Sequence, residues 1–338
     1  MNRKAFRGLL KRWGEKDPER VRIVPSWYGS NLFAQDNGKT GALPDGRKAL
    51  LIPGSRNRQA EEKDLQEEIR AAEGFGIPAL RSGLLWDGGN VLFDGTLALV
   101  GANTVAENMI RLEKGEDEVL ALLEAEFGVG LTILGEVGEA VDILQAERAK
   151  EHPARPAEAG QADFHIDLDV ALLGPIDGHP TAILADPRAG LSYLPAVLEK
   201  KELFEDHYLS PQDMKAIFRD DLQISVETRE PRLAAYREIL TNLGYRVVGV
   251  PDLRLMDERN HLGRVNTRFN YCNVLPGALE SRPSAVLFSY GIEGLDEAVF
   301  QILRRLGVDP LPLSPDGVTP GELLSLGGGV HCLCSRLE

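Results

Sequence analysis

An α/β or α+β domain is what this sequence predicts. Short apolar runs of strand length alternate with amphipathic stretches of helical period along the whole chain. No linker divides it cleanly, although 338 residues would suffice for one large domain or two ordinary ones. Hydrophobic residues make up 43% of the chain and charged residues 27%, the composition of an ordinary globular protein rather than of a disordered chain.

The elements follow in order. "MNRKAFRGLLKRWGEKDPER" is basic but lacks the long apolar core and small-residue cleavage site of a signal peptide. It reads as a short amphipathic helix with Phe6, Leu9 and Leu10 on one side and Trp13 nearby. "KALLIPG" (48–54) reads as a strand closed by Pro-Gly. "QAEEKDLQEEIRAAEGFG" (59–76) reads as a surface helix, because Leu65, Ile69 and Ala72 recur at helical spacing and glycines follow. "NVLFDGTLALVG" (90–101) predicts a β-hairpin with Asp94-Gly95 at its turn. Residues 106–128 give two helices or a broken one, and "LTILGEV" (131–137) and "FHIDLDVALLG" (164–174) read as strands. Residues 148–162 are Pro/Ala-rich and polar, as in a loop, and 192–224 read as a helical insertion rich in charge. "PRLAAYREILTNLGYRVVGVPDL" (231–253) predicts a helix, then Gly244, then a strand. "SAVLFSYG" (284–291) and residues 294–313 repeat the strand-helix-strand theme.

The net charge of −14 disfavours nucleic-acid partners, which need a basic patch. A negative field concentrates cations, and it also serves solubility alone. No apolar run approaches the length of a membrane span. Three cysteines, Cys272, Cys332 and Cys334, do not make a disulfide framework, and reduced thiols fit a cytoplasmic protein.

Four stretches place polar residues in unusual company. In "NLFAQDNG" (31–38), Asp36 follows Phe33-Ala34, although Asp-Asn-Gly is also strong turn chemistry. In "LLWDGGNVLF" (84–93), Asp87 stands between an apolar run and two glycines that would let a ligand approach the backbone; a plain Asp-Gly-Gly turn reads the same way. In "FHIDLDVALLG", His165, Asp167 and Asp169 alternate with aliphatics, so a strand would carry all three on one face. That face is either solvated or an acid-base and cation-binding pair. At the end, "GGGVHCLCSRLE" (327–338) offers His331, Cys332 and Cys334. Their spacing argues against zinc, which calls for wider spacing and a second ligand pair. A lone cysteine is commonly a buried small hydrophobe, but Cys332 after three glycines is also a candidate nucleophile if a histidine serves it.

Taken in order, these stretches resemble the guanidino-group modifying enzymes, or penteins. That superfamily includes arginine, agmatine and peptidylarginine deiminases, dimethylarginine dimethylaminohydrolases and amidinotransferases. "FAQD" resembles the peptidylarginine deiminase stretch ending in Gln-Asp. "DGGNVLFDGTLALVG" is similar to the acid-Gly-Gly-hairpin motif of arginine deiminases and dimethylarginine hydrolases. "FHID" resembles the His-x-Asp motif, and "GGGVHC" the closing Gly-rich nucleophile motif. The resemblance runs from Asp36 to Cys332 and implies a five-bladed α/β propeller with pseudo-fivefold symmetry, one catalytic domain over residues 1–338.

By position, the resemblance implies Cys332 as nucleophile, His165 as general acid/base, and Asp36 and Asp167 as carboxylates gripping the guanidinium. Asp87 matches the catalytic acid ahead of Gly-Gly, where the family often has Glu. His331 precedes the nucleophile in several branches and need not be catalytic. No cofactor or metal is implied. Animal peptidylarginine deiminases need calcium and carry extra domains, for which this chain lacks room.

The chemistry suits these residue types. A guanidinium stays protonated and presents planar, forked N–H donors that carboxylates accept in pairs. A thiolate then attacks its central carbon while a histidine protonates the departing amine. The implied activity is a deiminase with a cationic guanidino partner, neither nucleic acid nor membrane. Peptidyl arginine leads as substrate because of Gln35-Asp36. Agmatine, free arginine or a methylated arginine, transfer to an amine, and a non-catalytic binding protein on the same fold are the alternatives. Residues 257–273, "DERNHLGRVNTRFNYCN", read equally as a gating loop or a surface loop.

Overall fold

The computed structural model describes residues 38–43, 45–54, 76–148, 165–200, 210–253, 269–279, 281–292, 294–313 and 330–331, with scattered positions between 65 and 74. Within them one structural unit recurs four times: an antiparallel hairpin, a helical crossover, and a third strand parallel to the second. A third strand in that direction requires a long connection, and the amphipathic stretches supply it.

The first unit pairs β1 (Lys39–Ala42) with β2 (Lys48–Ile52) and adds β3 (Ala79–Arg81) parallel to β2. Leu65 and Ala72 of the crossover bury against Leu50 and Ile52, as their spacing predicts. The second pairs β4 (Val91–Phe93) with β5 (Leu97–Gly101), crosses through α1 (Ala102–Leu112) and α2 (Glu116–Phe127), and returns in β6 (Gly130–Leu134) beside β5. Residues 106–128 thus hold two helices, separated where Glu113 takes a left-handed φ of 55°. Helix α3 (Val137–Arg148) follows and packs on α1.

The third unit is the largest. It runs β7 (Val170–Ile176), β8 (His179–Asp186), α4 (Pro187–Leu191), α5 (Leu194–Glu199), α6 (Pro211–Asn242) and β9 (Arg246–Pro251). Asp177 and Gly178 turn its hairpin with φ of 53° and 78°, the paired positive values a two-residue turn demands. Strand β8 is buried on both faces from Thr181 to Ala185, with helices covering it. The fourth unit is β10 (Leu275–Leu279), β11 (Arg282–Phe288), α7 (Leu295–Arg305) and β12 (Asp309–Leu313).

Three expectations need correction. "FHIDLDV" is not a strand: residues Ile166–Leu168 form a single 3-10 turn and β7 starts only at Val170. Its polar face is buried, not solvated, and Asp167 and Asp169 accept side-chain hydrogen bonds there from Asn273 and Arg229. The expected insertion and the helix expected to start at Pro231 largely merge into a single helix, α6, of 32 residues. Pro231 is tolerated there because it and Glu227 lie on the exposed side, where water serves the carbonyl that proline leaves without a donor. Strands β1, β3 and β10, three to five residues each, have no counterpart in the sequence reading.

Strand β7 touches β4 and β10, so the first strand of unit three lies between those of units two and four. Leu92, Leu99 and Leu134 of unit two share one core with Ile183 and Val250 of unit three and Ala285 and Leu287 of unit four. Tyr245, ahead of β9, donates from its hydroxyl to Asp94 in the β4–β5 turn and clips units two and three together. The N-terminal helix and any fifth unit lie outside the described residues. Among the described residues no helix is long and apolar enough to cross a membrane.

Candidate active site

Two tight turns meet between units two and three. The first, Gly88–Asn90, is entered from an extended Asp87 at φ −106°, ψ 142°. The second, Ile166–Leu168, is entered from an extended His165 at φ −127°, ψ 139°. Asn90 joins them: its Oδ1 accepts from the Ile166 N–H at 3.2 Å, and its Nδ2 donates to Asn103 Oδ1 at 3.0 Å. Gly89 lies against the His165 imidazole, so that a Cβ there would stand 2.4 Å from Nδ1 and 2.6 Å from Cγ. Space, not backbone conformation, makes this position glycine.

Packing behind the first turn fixes it. Trp86 is buried edge-on to Phe127, ring centres 5.7 Å apart, and its Nε1 donates to Glu126 Oε1 at 3.2 Å. Asn108 of α1 accepts from the Leu85 N–H at 2.9 Å and donates to the Leu85 carbonyl at 2.6 Å. One buried amide thus satisfies both polar groups of a peptide that has no ladder partner.

The second turn carries Asp167, which is 1% exposed. Its Oδ2 accepts from Asn273 Nδ2 at 2.8 Å and lies 3.0 Å from His331 Nδ1. Burial pushes the Asp167 carboxyl up, but the His331 hydrogen bond and the charges of His331, His165 and Lys39 outweigh it, and the group sits below the usual carboxylate range. Burial depresses His331 despite the Asp167 hydrogen bond and charge, and Lys39 and His165 depress it further. At neutral pH the pair is therefore a carboxylate beside a neutral imidazole whose Nδ1–H donates to it, and one negative charge remains for a cation.

The structure brings together the turn behind Asp87, His165, Asp167 and His331. Lys39 reaches the same site electrostatically from β1, three residues after Asp36. Asp36 and Cys332 lie outside the described residues, as do Gln35, the three tail glycines and Cys334. Asp169 does not join the group. Its Oδ1 accepts from Arg229 of α6 at 2.7 Å, and Arg229 also bonds Asp252 just past β9, all three buried. Among the described residues no three His, Cys, Asp or Glu side chains converge as a metal ion would require.

Sequence reasoning missed Asn270 and Asn273. The described end of the supposed gating loop, 269–273, is buried. Asn270 donates to the Leu168 carbonyl at 2.6 Å and accepts from the Cys272 and Asn273 N–H groups, both at 2.8 Å. The signal was present in "FNYCNVL": two amides among aromatic and aliphatic neighbours, where a burial of polar groups demands partners.

No family model and no curated protein matches this sequence. Solved structures do. A Northeast Structural Genomics target, named provisionally as an agmatine deiminase, superposes with a TM-score of 0.57 at 12% identity, over 96% of this chain and 77% of its own. C. jejuni agmatine deiminase superposes at 0.50 and 14% identity, over 97% of this chain and 78% of its own. A protein named provisionally as a peptidyl-arginine deiminase superposes at 0.50 and 12% identity, over 90% and 75%. This chain has the pentein fold. Four hairpin-crossover-strand units of that fold lie within the described residues.

Proposed function

We propose that this pentein hydrolyses a guanidinium C–N bond of an arginine-like substrate, releasing ammonia and leaving a ureido group. One observation supports this above the others. Asp167, ionised and buried, is held against His331, the residue next to Cys332, while His165 sits one turn away against Gly89. Those positions support a desolvated negative charge to hold a planar cation and an imidazole to move protons, and the reading adds the thiol of Cys332 as nucleophile.

In this reading Asp36 and Asp167 orient the guanidinium, and Asp87 accepts from its remaining N–H donors. The Cys332 thiolate adds to the central carbon. His165, as imidazolium, protonates one nitrogen, the C–N bond breaks and ammonia leaves, with an amidino thioether remaining. Neutral His165 then takes a proton from water, whose oxygen bonds to the same carbon. The C–S bond breaks as the new hydroxyl gives up its proton to solvent, its electron pair returns to sulfur and the ureido product is freed. The neutral state of His331 serves this sequence, because an imidazolium there would compete with the substrate for Asp167.

For the substrate, the likeness to agmatine deiminases supports a small guanidine, while Gln35-Asp36 supports peptidyl arginine. The test measures ureido product from agmatine, free arginine, a dimethylarginine and an arginine peptide, each with and without an added amine acceptor. A single preferred guanidine is expected, with Cys332→Ala abolishing its turnover. Turnover retained by Cys332→Ala, or no ureido product from any of the four, defeats the reading.

A further inference from the structure

We infer that Asn273 is a positioning residue that holds the segment bearing Cys332 in register with the acid at Asp167; the inference rests on the reading of the site given above. Asn273 stands between two chain segments far from it in sequence. Its Nδ2 donates to Asp167 Oδ2 at 2.8 Å, 106 residues away. Its Oδ1 accepts from the His331 backbone N–H at 2.8 Å, 58 residues away. The side chain is 3% exposed. The peptide that bonds to it therefore lies one residue ahead of Cys332.

Asn270 braces the same bracket. It donates to the Leu168 carbonyl at the end of the Asp167 turn and accepts from the Asn273 backbone N–H. Tyr290 closes the outer side, its hydroxyl donating to the Asn270 carbonyl at 2.9 Å and accepting from the Asn270 N–H at 3.2 Å. Two amides thus tie the acid turn and the His331 peptide to one frame, independently of the His331 ring.

The chemistry requires an amide. The position must offer a donor to a carboxylate and an acceptor to a backbone N–H at once. Aspartate keeps the acceptor but sets a second negative charge beside Asp167, and leucine keeps neither. A protonated aspartate, however, reproduces both functions. The groups that would set its titration are Asp167, His331, His165 and Lys39.

The experiment compares Asn273→Asp and Asn273→Leu with the unaltered full chain. At neutral pH both are expected to lose roughly tenfold or more in kcat with a smaller change in KM, as when a charged hydrogen bond that aligns reacting groups is removed. Relative to the unaltered protein, Asn273→Asp is expected to regain activity as pH falls and its carboxyl takes a proton; Asn273→Leu is not. A readout free of turnover accompanies this. The imidazole NMR titration of His331 should move upward in Asn273→Asp, because a carboxylate replaces the neutral amide. An unmoved His331 titration overturns the inference even if the chain acts on no guanidine, and a moved one supports it in that case too. Asn273→Leu within twofold of the unaltered kcat, or the two variants losing activity equally at every pH, also overturns it, the latter by reducing Asn273 to packing.

Discussion

Gly89→Ala isolates the contact between the two motif turns. The added Cβ would stand 2.4 Å from His165 Nδ1, and the ring must retreat by about 1 Å to reach the 3.4 Å of ordinary contact. Gly89 does not use a positive φ, so alanine meets no backbone penalty there and the whole effect is steric. Overpacking of this kind costs about 1–3 kcal/mol of stability. A misplacement of about 1 Å at a reacting group costs on the order of a hundredfold in rate. The expected outcome is thus a modest drop in melting temperature together with a disproportionate drop in kcat. Calorimetry and the ureido assay measure the two, and the His165 imidazole resonances report the displacement directly. Gly83→Ala is the control, since a Cβ at Gly83 has no heavy atom within 4 Å. If Gly89→Ala matched Gly83→Ala in melting temperature, kcat and imidazole resonances, the packing of Gly89 on His165 would not be what orders this site.

Two further outcomes are expected. Arg229→Met removes the guanidinium from between two buried carboxylates, Asp169 and Asp252, and should cost about 3–5 kcal/mol in urea unfolding. Asp169→Asn with Asp252→Asn in the same chain should recover most of it, and an undiminished loss would refute charge as the cause. On the acid side, His331 is depressed from its ordinary 6.5, so the unfolded chain takes up that proton first as pH falls through about 6.5. Stability should decline from there, and Asp167, depressed from its ordinary 3.8, adds a further loss at lower pH. Urea midpoints between pH 8 and 4 should therefore fall more steeply in the unaltered protein than in His331→Gln; parallel slopes would refute the assignment.

What was legible in the sequence was what local chemistry decides. Asp94-Gly95 announces its hairpin because the Asp94 carboxylate caps its own turn, accepting from the Thr96 and Leu97 N–H groups at 2.7 and 2.9 Å. The alternation of 165–170 was misleading, since a buried 3-10 turn and a half-exposed strand share that pattern when long-range amides satisfy the turn. Arg229 was hidden for a related reason. In "VETREPR" it looks like one more charge on a solvated helix, and only the tertiary arrangement reveals two carboxylates beneath it. The run "FNYCNVL" marks Asn273 as a buried amide but does not reveal its side-chain partners, because Asp167 and His331 lie 106 and 58 residues away. The apolar half of the site was thus written locally, and the polar half in separations too long for periodicity to expose.

The contact between Asp167 and His331 closes a loop of 164 residues. The entropy lost in closing a loop rises with the logarithm of its length, so hairpins and crossovers form at far lower cost than this pairing. Hairpins and crossovers within each unit are therefore favoured to form before Asp167 and His331 meet. During synthesis the carboxylate turn emerges long before its imidazole partner does. A nascent chain can thus be largely folded and still lack the Asp167–His331 pairing, which arises only as the segment bearing His331 docks.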